Sequence, residues 1–233
     1  MKQLLGTANT KTLKGLKQGY QTSILHLAPS DRSGHNVCPK ASAGCINVCL
    51  NTAGRGVFAP VQKARIAKTQ YFFDDRVSFM ADLHRNIEAA QRKAARLGLV
   101  PVIRLNGTSD IKWELLAYNH AGIHYVNIMA AFPMVQSYDY TKCLGRKLPA
   151  NYSLTFSKSE TNELDCREAL RQGMNVAVVF EHTKPMPDAY LNRPVVTGEE
   201  SDLRFLDQKN SIVGLIAKGK AKKDASGFVV RAC

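Results

Sequence analysis

Short apolar runs alternate with longer amphipathic patterns along most of the chain. Ser23 to Ala28 (SILHLA) reads as a first strand, closed by Pro29. From Phe73 the apolar positions Val77, Met80, Leu83, Ile87, Ala90, Ala94 and Leu97 recur at threes and fours. That stripe predicts one long amphipathic helix, with Asp74 and Asp75 near its start and Gly98 at its end. Val100 to Leu105 (VPVIRL) is the next expected strand, and a helix is expected over Ile111 to Ala121. A strand over Tyr125 to Met129, a helical stretch over Tyr138 to Leu148 and a strand over Tyr152 to Phe156 follow. Glu163 to Gln172 reads as a helix stopped by Gly173, and Val176 to Phe180 and Ile212 to Ile216 complete six expected strands. Leu191 to Arg204 is polar and turn-rich, an expected excursion.

Repeated strand–helix alternation points to a parallel sheet with right-handed crossovers. Six strands fit an incomplete barrel or a doubly wound open sheet, and in either the chemistry gathers beyond the carboxyl ends of the strands. Nothing marks an internal boundary, so residues 1–233 are expected to form one domain.

The segment after the first strand is LAPSDRSGHNVCPKASAGCINVCLNTAGRG. Cys38, Cys45 and Cys49 stand in C-x6-C-x3-C spacing within a loop of small and polar residues. Thiolates are soft ligands suited to zinc, copper(I) or iron–sulfur clusters, and a loop of Ala41, Ser42, Ala43 and Gly44 can wrap around one centre. Buried inert thiols are the plain alternative, against which three cysteines in a polar loop argue. His35 with the three cysteines would make a Cys3His zinc site. A four-iron cluster would leave one iron open, or take a remote ligand from His35, Cys143, Cys166 or Cys233.

Composition adds a second lead. Thirty-two Lys and Arg against 19 Asp and Glu give a formal charge of +13, which favours a polyanionic partner, DNA or RNA. Four lysines in AKGKAKKDASG (Lys218, Lys220, Lys222, Lys223) and the row Arg85, Arg92, Arg96 are the densest basic features. Either is a solvated face or a phosphate contact. The lysine-bearing first residues lack a continuous apolar stretch, and no run reaches the ~18–20 apolar residues of a membrane helix. A cytoplasmic protein without membrane contact is expected. No phosphate loop and no Gly-x-Ser-x-Gly elbow occurs.

Beyond the second strand, RLNGTSD (Arg104 to Asp110) offers Asn106 and Asp110 as ligand contacts, with a helix cap as the competing role for Asp110. Glu114, the Ser157, Lys158, Ser159 group and the Glu181, His182 pair also follow strands. The latter pair reads first as a surface hydrogen-bonded pair.

A three-cysteine loop after the first strand of a six-strand α/β chain resembles the radical S-adenosylmethionine enzymes. That likeness implies an incomplete (β/α)6 barrel-like parallel sheet, a 4Fe-4S cluster on the three cysteines, and S-adenosylmethionine held with help from Asn106 and Asp110. The usual spacing there is C-x3-C-x2-C, and the glycine-glycine-glutamate signature is replaced by RLNGTSD. Over nearly the full length the chain also resembles the gene-product-88 family of phage and plasmid proteins. The segments LHLAPSDRSGHNVCPKASAGCINVCLNTAGRG, VIRLNGTSDIKWE and SDLRFLDQKNSIVGLIAKGKA carry that likeness. It implies a mobile-element origin, and hence the cytoplasm of a host cell.

Overall fold

The computed structural model describes residues 2–7 and 10–231. In chain order the strands are β1 (Leu5–Gly6), β2 (Tyr20–Leu25), β3 (Val100–Arg104), β4 (Tyr118–His120), β5 (Ile123–Tyr125), β6 (Gln136–Thr141), β7 (Tyr152–Ser157), β8 (Val176–Phe180), β9 (Ala189–Tyr190), β10 (Arg193–Thr197) and β11 (Ile212–Ile216). The helices are α1 (Thr10–Leu16), α2 (Ala43–Asn47), α3 (Ala59–Asp74), α4 (Arg76–Arg96), α5 (Ile128–Ala131) and α6 (Glu163–Arg171).

One nine-stranded sheet runs β1-β2-β3-β6-β7-β8-β11-β10-β9. From β2 to β10 every pairing is parallel, and only the two short edge strands are antiparallel. The parallel α/β class is therefore as expected. The sheet is open: among the described residues no pairing joins its two edges and no closed barrel forms, so the barrel-like part of the expectation is not confirmed. From β2 to β11 spatial order follows chain order, so the chain advances in one direction without the reversal of a doubly wound sheet.

Strand periodicity explains where the core lies. On one face Leu25, Ile103, Leu105 and Tyr152 pack against Phe79, Met80, Leu83 and Ile87 of α4. Further along that face Phe156, Val176, Val178 and Ile212 pack against Cys166, Ala169 and Leu170 of α6. The register Phe156↔Val176 and Val176↔Ile212 carries the face across three strands. The opposite face holds Val102 and Tyr138 under Leu203 and Phe205, and it is more polar, with the Arg104 and Asp202 ion pair buried there at 2.5 Å.

Several expected elements differ. The single helix from Phe73 is two: α3 ends at Asp74, and Asp75 takes an extended backbone (φ −142°, ψ 73°) and caps α4 by accepting from the Ser78 amide at 3.0 Å. The expected helix over 111–121 is a 3-10 turn (Trp113–Leu115) leading into the β4–β5 hairpin. Its two turn residues, Ala121 (φ 49°) and Gly122 (φ 79°), both take the left-handed backbone that matches strand twist. The expected strand over 125–129 divides between β5 and α5. The expected helix over 138–148 is instead β6, where Tyr138 and Asp139 alternate between faces and both are fully buried. The polar excursion over 191–204 contains β10, a seventh parallel strand. Among the described residues no helix is long and apolar enough to cross a membrane.

Candidate metal centre

The carboxyl edge of the sheet receives, in succession, the cysteine loop after β2, the Leu105–Asp110 loop after β3, Lys142 and Cys143 after β6, Lys158 to Glu160 after β7, and Lys218 after β11. Two tight turns shape the start of the cysteine loop. Ser30 takes φ 55° and Gly34 φ 88°, and the Val37 amide closes back onto the Ser30 carbonyl at 3.2 Å. Cys38 is thereby returned to the strand end, where its sulfur accepts from the Ser30 amide at 3.4 Å and lies 3.7 Å from the Thr108 carbonyl.

Cys45 sits within α2 and Cys49 just beyond it. Glu160, on the loop after β7, accepts from the Gly44 amide and the Ser42 hydroxyl, both at 2.7 Å. A Cβ on Gly44 would stand 2.7 Å from the Glu160 carboxyl carbon, so glycine is what lets α2 dock there. Cys49 is held from the other side: its sulfur accepts from the Asn51 amide, and buried Asn51 bonds Gln62 and Arg65 of α3.

The three thiols are near enough to act on one another's charge. Burial pushes the Cys38 thiol up to about 11, with Cys49, Cys45 and Asp110 adding to the rise. Burial also raises Cys49, reinforced by Cys45 and opposed by the Asn51 amide, Arg65 and Arg32. Among the described residues, no three His, Cys, Asp or Glu side chains form a group that could hold a metal ion. His35 is occupied elsewhere, its ring stacked on Phe73 with centroids 4.1 Å apart. Of the expected remote ligands, Cys166 is on the buried face of α6, in the core, and Cys143 is buried beside Asp110, at 3.8 Å from its carboxylate. Cys233 lies outside the described residues.

Asn106 and Asp110 are on the edge beside Cys38, and both are engaged within the protein. Asn106 accepts from the Ser109 hydroxyl, the Ile111 amide and the Trp113 indole, and donates to the Ile111 carbonyl. It ties the loop together. Asp110 caps no helix. Its carboxylate accepts from the Thr141 hydroxyl and the Lys142 amide at 2.8 Å each, and pairs with Arg146 at 3.2 Å. Arg146 in turn grips Glu114 through two bonds of 2.5 and 2.8 Å. Lys158 reaches the Ser159 carbonyl, and Glu181 pairs with Thr183 and Lys184, while His182 lines a cleft with Lys222 and Asp224.

Sequence reasoning passed over His26, Arg65, Lys68 and Glu160, all at this edge. His26 directly follows β2, and a Cβ on Gly107 would come within 2.7 Å of its ring, so the β3 loop presses against it. Burial brings its pKa down to about 3, helped by Arg65, Arg104 and Lys68. Arg65 and Lys68 belong to α3, which turns Thr69 inward beside the core residue Phe72 and so shows no continuous apolar stripe to a periodicity reading.

The family model described as Gene product 88 matches residues 3–232. No curated protein and no solved structure matches the chain. The likeness to radical S-adenosylmethionine enzymes is thus without support from comparison.

Proposed function

The chain belongs to the gene product 88 family of phage and plasmid proteins, and from that premise we propose that it is an iron–sulfur protein. Cys38, Cys45 and Cys49 would hold a 4Fe-4S cluster at the carboxyl edge of a singly wound, barrel-like sheet. The observation that carries this reading is three half-buried cysteines on one loop that is anchored through Glu160 on one side and through Asn51, Gln62 and Arg65 on the other. Left as thiolates, such groups repel one another in a poorly solvated place; a cationic centre offsets both costs. The amides of Ser30 and Asn51 already point at two of the sulfurs, as they do around clusters. Among the described residues the side chains form no ready-made single-ion group, so the reading rests on the shared loop and its anchoring.

When bound, a cluster supplies one-electron transfer. The protein's share is to hold three thiolates, keep water from Cys38 and Cys49, and stiffen the loop through Glu160, Asn51 and Arg65. S-adenosylmethionine at the fourth iron belongs to the same proposal, with Asn106 and Asp110 shaping the adjoining wall. Anaerobic purification should give a brown protein containing iron and acid-labile sulfide, and Ser at Cys38, Cys45 or Cys49 should each lose it. A colourless protein with one zinc and no sulfide would remove the cluster. Added S-adenosylmethionine should perturb the reduced cluster's paramagnetic spectrum.

A second reading, a noncatalytic metal-stabilised protein that binds DNA or RNA, is favoured by the lysine segment. The 3-10 turn Gly219–Lys223 carries Lys220, Lys222 and Lys223 exposed, and its Ala221 packs on Val48 of the cysteine loop. Metal and basic surface would then form one structural unit.

A further inference from the structure

Beside the thiols, α3 brings two cations towards His26, and among the described residues no carboxylate pairs with either. On α3, Arg65 and Lys68 are three residues apart and share a face. That face is fixed against the end of β2, because Thr69 accepts from the Ala28 amide at 2.8 Å, two residues past His26. The loop after β3 closes the other side, where Gly107 abuts His26 and its amide bonds the Leu25 carbonyl at 3.0 Å.

Both α3 cations are half-buried, and among the described residues neither has an ion-pair partner. Lys68 reaches only the Leu4 carbonyl, at 2.7 Å. Arg65 donates to the Asn51 amide oxygen, while its Nε is buried with no hydrogen-bond partner. Arg104 also acts on His26 but is already matched by Asp202 at 2.5 Å, with Asp139 at 3.9 Å from its Nε. An orphaned guanidinium N–H and an unmatched ammonium are expensive to bury, and they are the donors that recognise oxyanions.

We propose that this cation cluster binds a small phosphorylated ligand, its terminal phosphate held by Arg65 and Lys68 beside His26. Two cations without a carboxylate suit a dianionic phosphate better than a monoanionic carboxylate. The site touches the cysteine loop at Cys49 but does not depend on what metal, if any, the thiols hold.

The test uses the full chain with inorganic phosphate as probe, at constant ionic strength against chloride. Phosphate should raise the thermal midpoint saturably, and titration should shift the ring resonances of His26 in the wild-type protein. Arg65→Gln and Lys68→Gln should each weaken phosphate roughly tenfold or more, the loss expected for one charged hydrogen bond. Arg92→Gln, on the outer side of α4, should leave it unchanged, and acetate should bind far more weakly. Iron and sulfide are measured on every sample, so a failed cluster and a failed phosphate site are told apart. No saturable effect of phosphate, or one that survives both substitutions, would overturn the proposal. So would an oligonucleotide without terminal phosphates that displaces phosphate, since the two cations would then serve a nucleic-acid backbone. Loss of iron in Arg65→Gln without any phosphate effect would reassign the cations as counter-charge for Cys49.

Discussion

Cys38 and His26 stand twelve residues apart and make opposite demands on pH. Each is kept neutral by burial, yet one is an acid and the other a base. Cys38 is pushed up to about 11, so the folded metal-free chain keeps a proton that an unfolded thiol gives up near about 8.5. Its contribution is therefore complete below that value and declines as pH climbs toward 11. His26 is brought down to about 3, so the unfolded chain takes up a proton below about 6.5 that the folded chain refuses. That stability is lost as pH falls from about 6.5 toward 3. Urea midpoints of metal-free protein should accordingly drop on both sides of neutrality, and His26→Asn should flatten the acid side. Metal uptake must strip protons from the thiols, so iron and sulfide loading should improve from about pH 7 to about pH 9. Uptake that ignores pH would contradict this account of Cys38. The cysteines were legible in the sequence because ligands announce themselves by type and spacing. His26 was not: within SILHLA it looks like one polar residue in an apolar strand, and only the approach of Gly107 and α3 gives it surroundings.

At the scale of elements, periodicity found the parts whose inner faces are apolar. β3, β7, β8, β11, α4 and α6 all have such faces, and their expected bounds lie within a few residues of the observed ones. It missed α3, because that helix turns Arg65, Lys68 and Thr69 inward, toward the edge where the site is. It took β6 for a helix, because Gln136, Ser137, Asp139 and Thr141 look solvated until Asp139 is seen accepting from the Leu105 and Asn106 amides. Elements built for the site are thus the ones with the weakest core signal. The close seating of the β3 loop gives a direct check. A methyl on Gly107 would stand 2.7 Å from the His26 ring, the Ile24 side chain and the Leu25 carbonyl, and the last cannot yield. Gly107→Ala should cost about 1–3 kcal/mol in denaturant unfolding, the range for overpacking. It should also lower cluster retention, since Thr108 next to it bonds the Leu27 carbonyl and meets Cys38. An unaffected variant would mean that the loop after β3 is free to move.

For the whole molecule the question is where the excess of positive charge acts. The formal +13 is spread over two distinct settings. On α4, Arg85 is paired with Asp82 at 2.6 Å and Arg92 lies 3.9 Å from Glu88, on a helix that packs across the sheet from the polar face. At the carboxyl edge, Lys218 is paired with Glu199 at 2.7 Å, but Lys220, Lys222 and Lys223 extend into solvent from a turn seated on the cysteine loop. Gly219 makes that seating possible, since it takes φ 56° within contact of Thr52 and Ala53. If DNA or RNA binds, the unpaired lysines should carry it, because each phosphate they neutralise returns a counterion to solution. Log affinity should then fall linearly with log salt, and neutralising Lys220, Lys222 and Lys223 together should make the slope shallower by roughly 2–3. Neutralising Arg85, Arg92 and Arg96 should change it far less, since partners already take part of that charge. Sequence preference should be weak, as backbone contacts fix register without reading bases. Metal content should stay constant throughout, because these lysines are exposed while buried Ala221 seats their turn on the cysteine loop. Equal effects from both sets would mean diffuse attraction with no defined surface, and no binding to single- or double-stranded DNA or RNA at low salt would end the nucleic-acid reading.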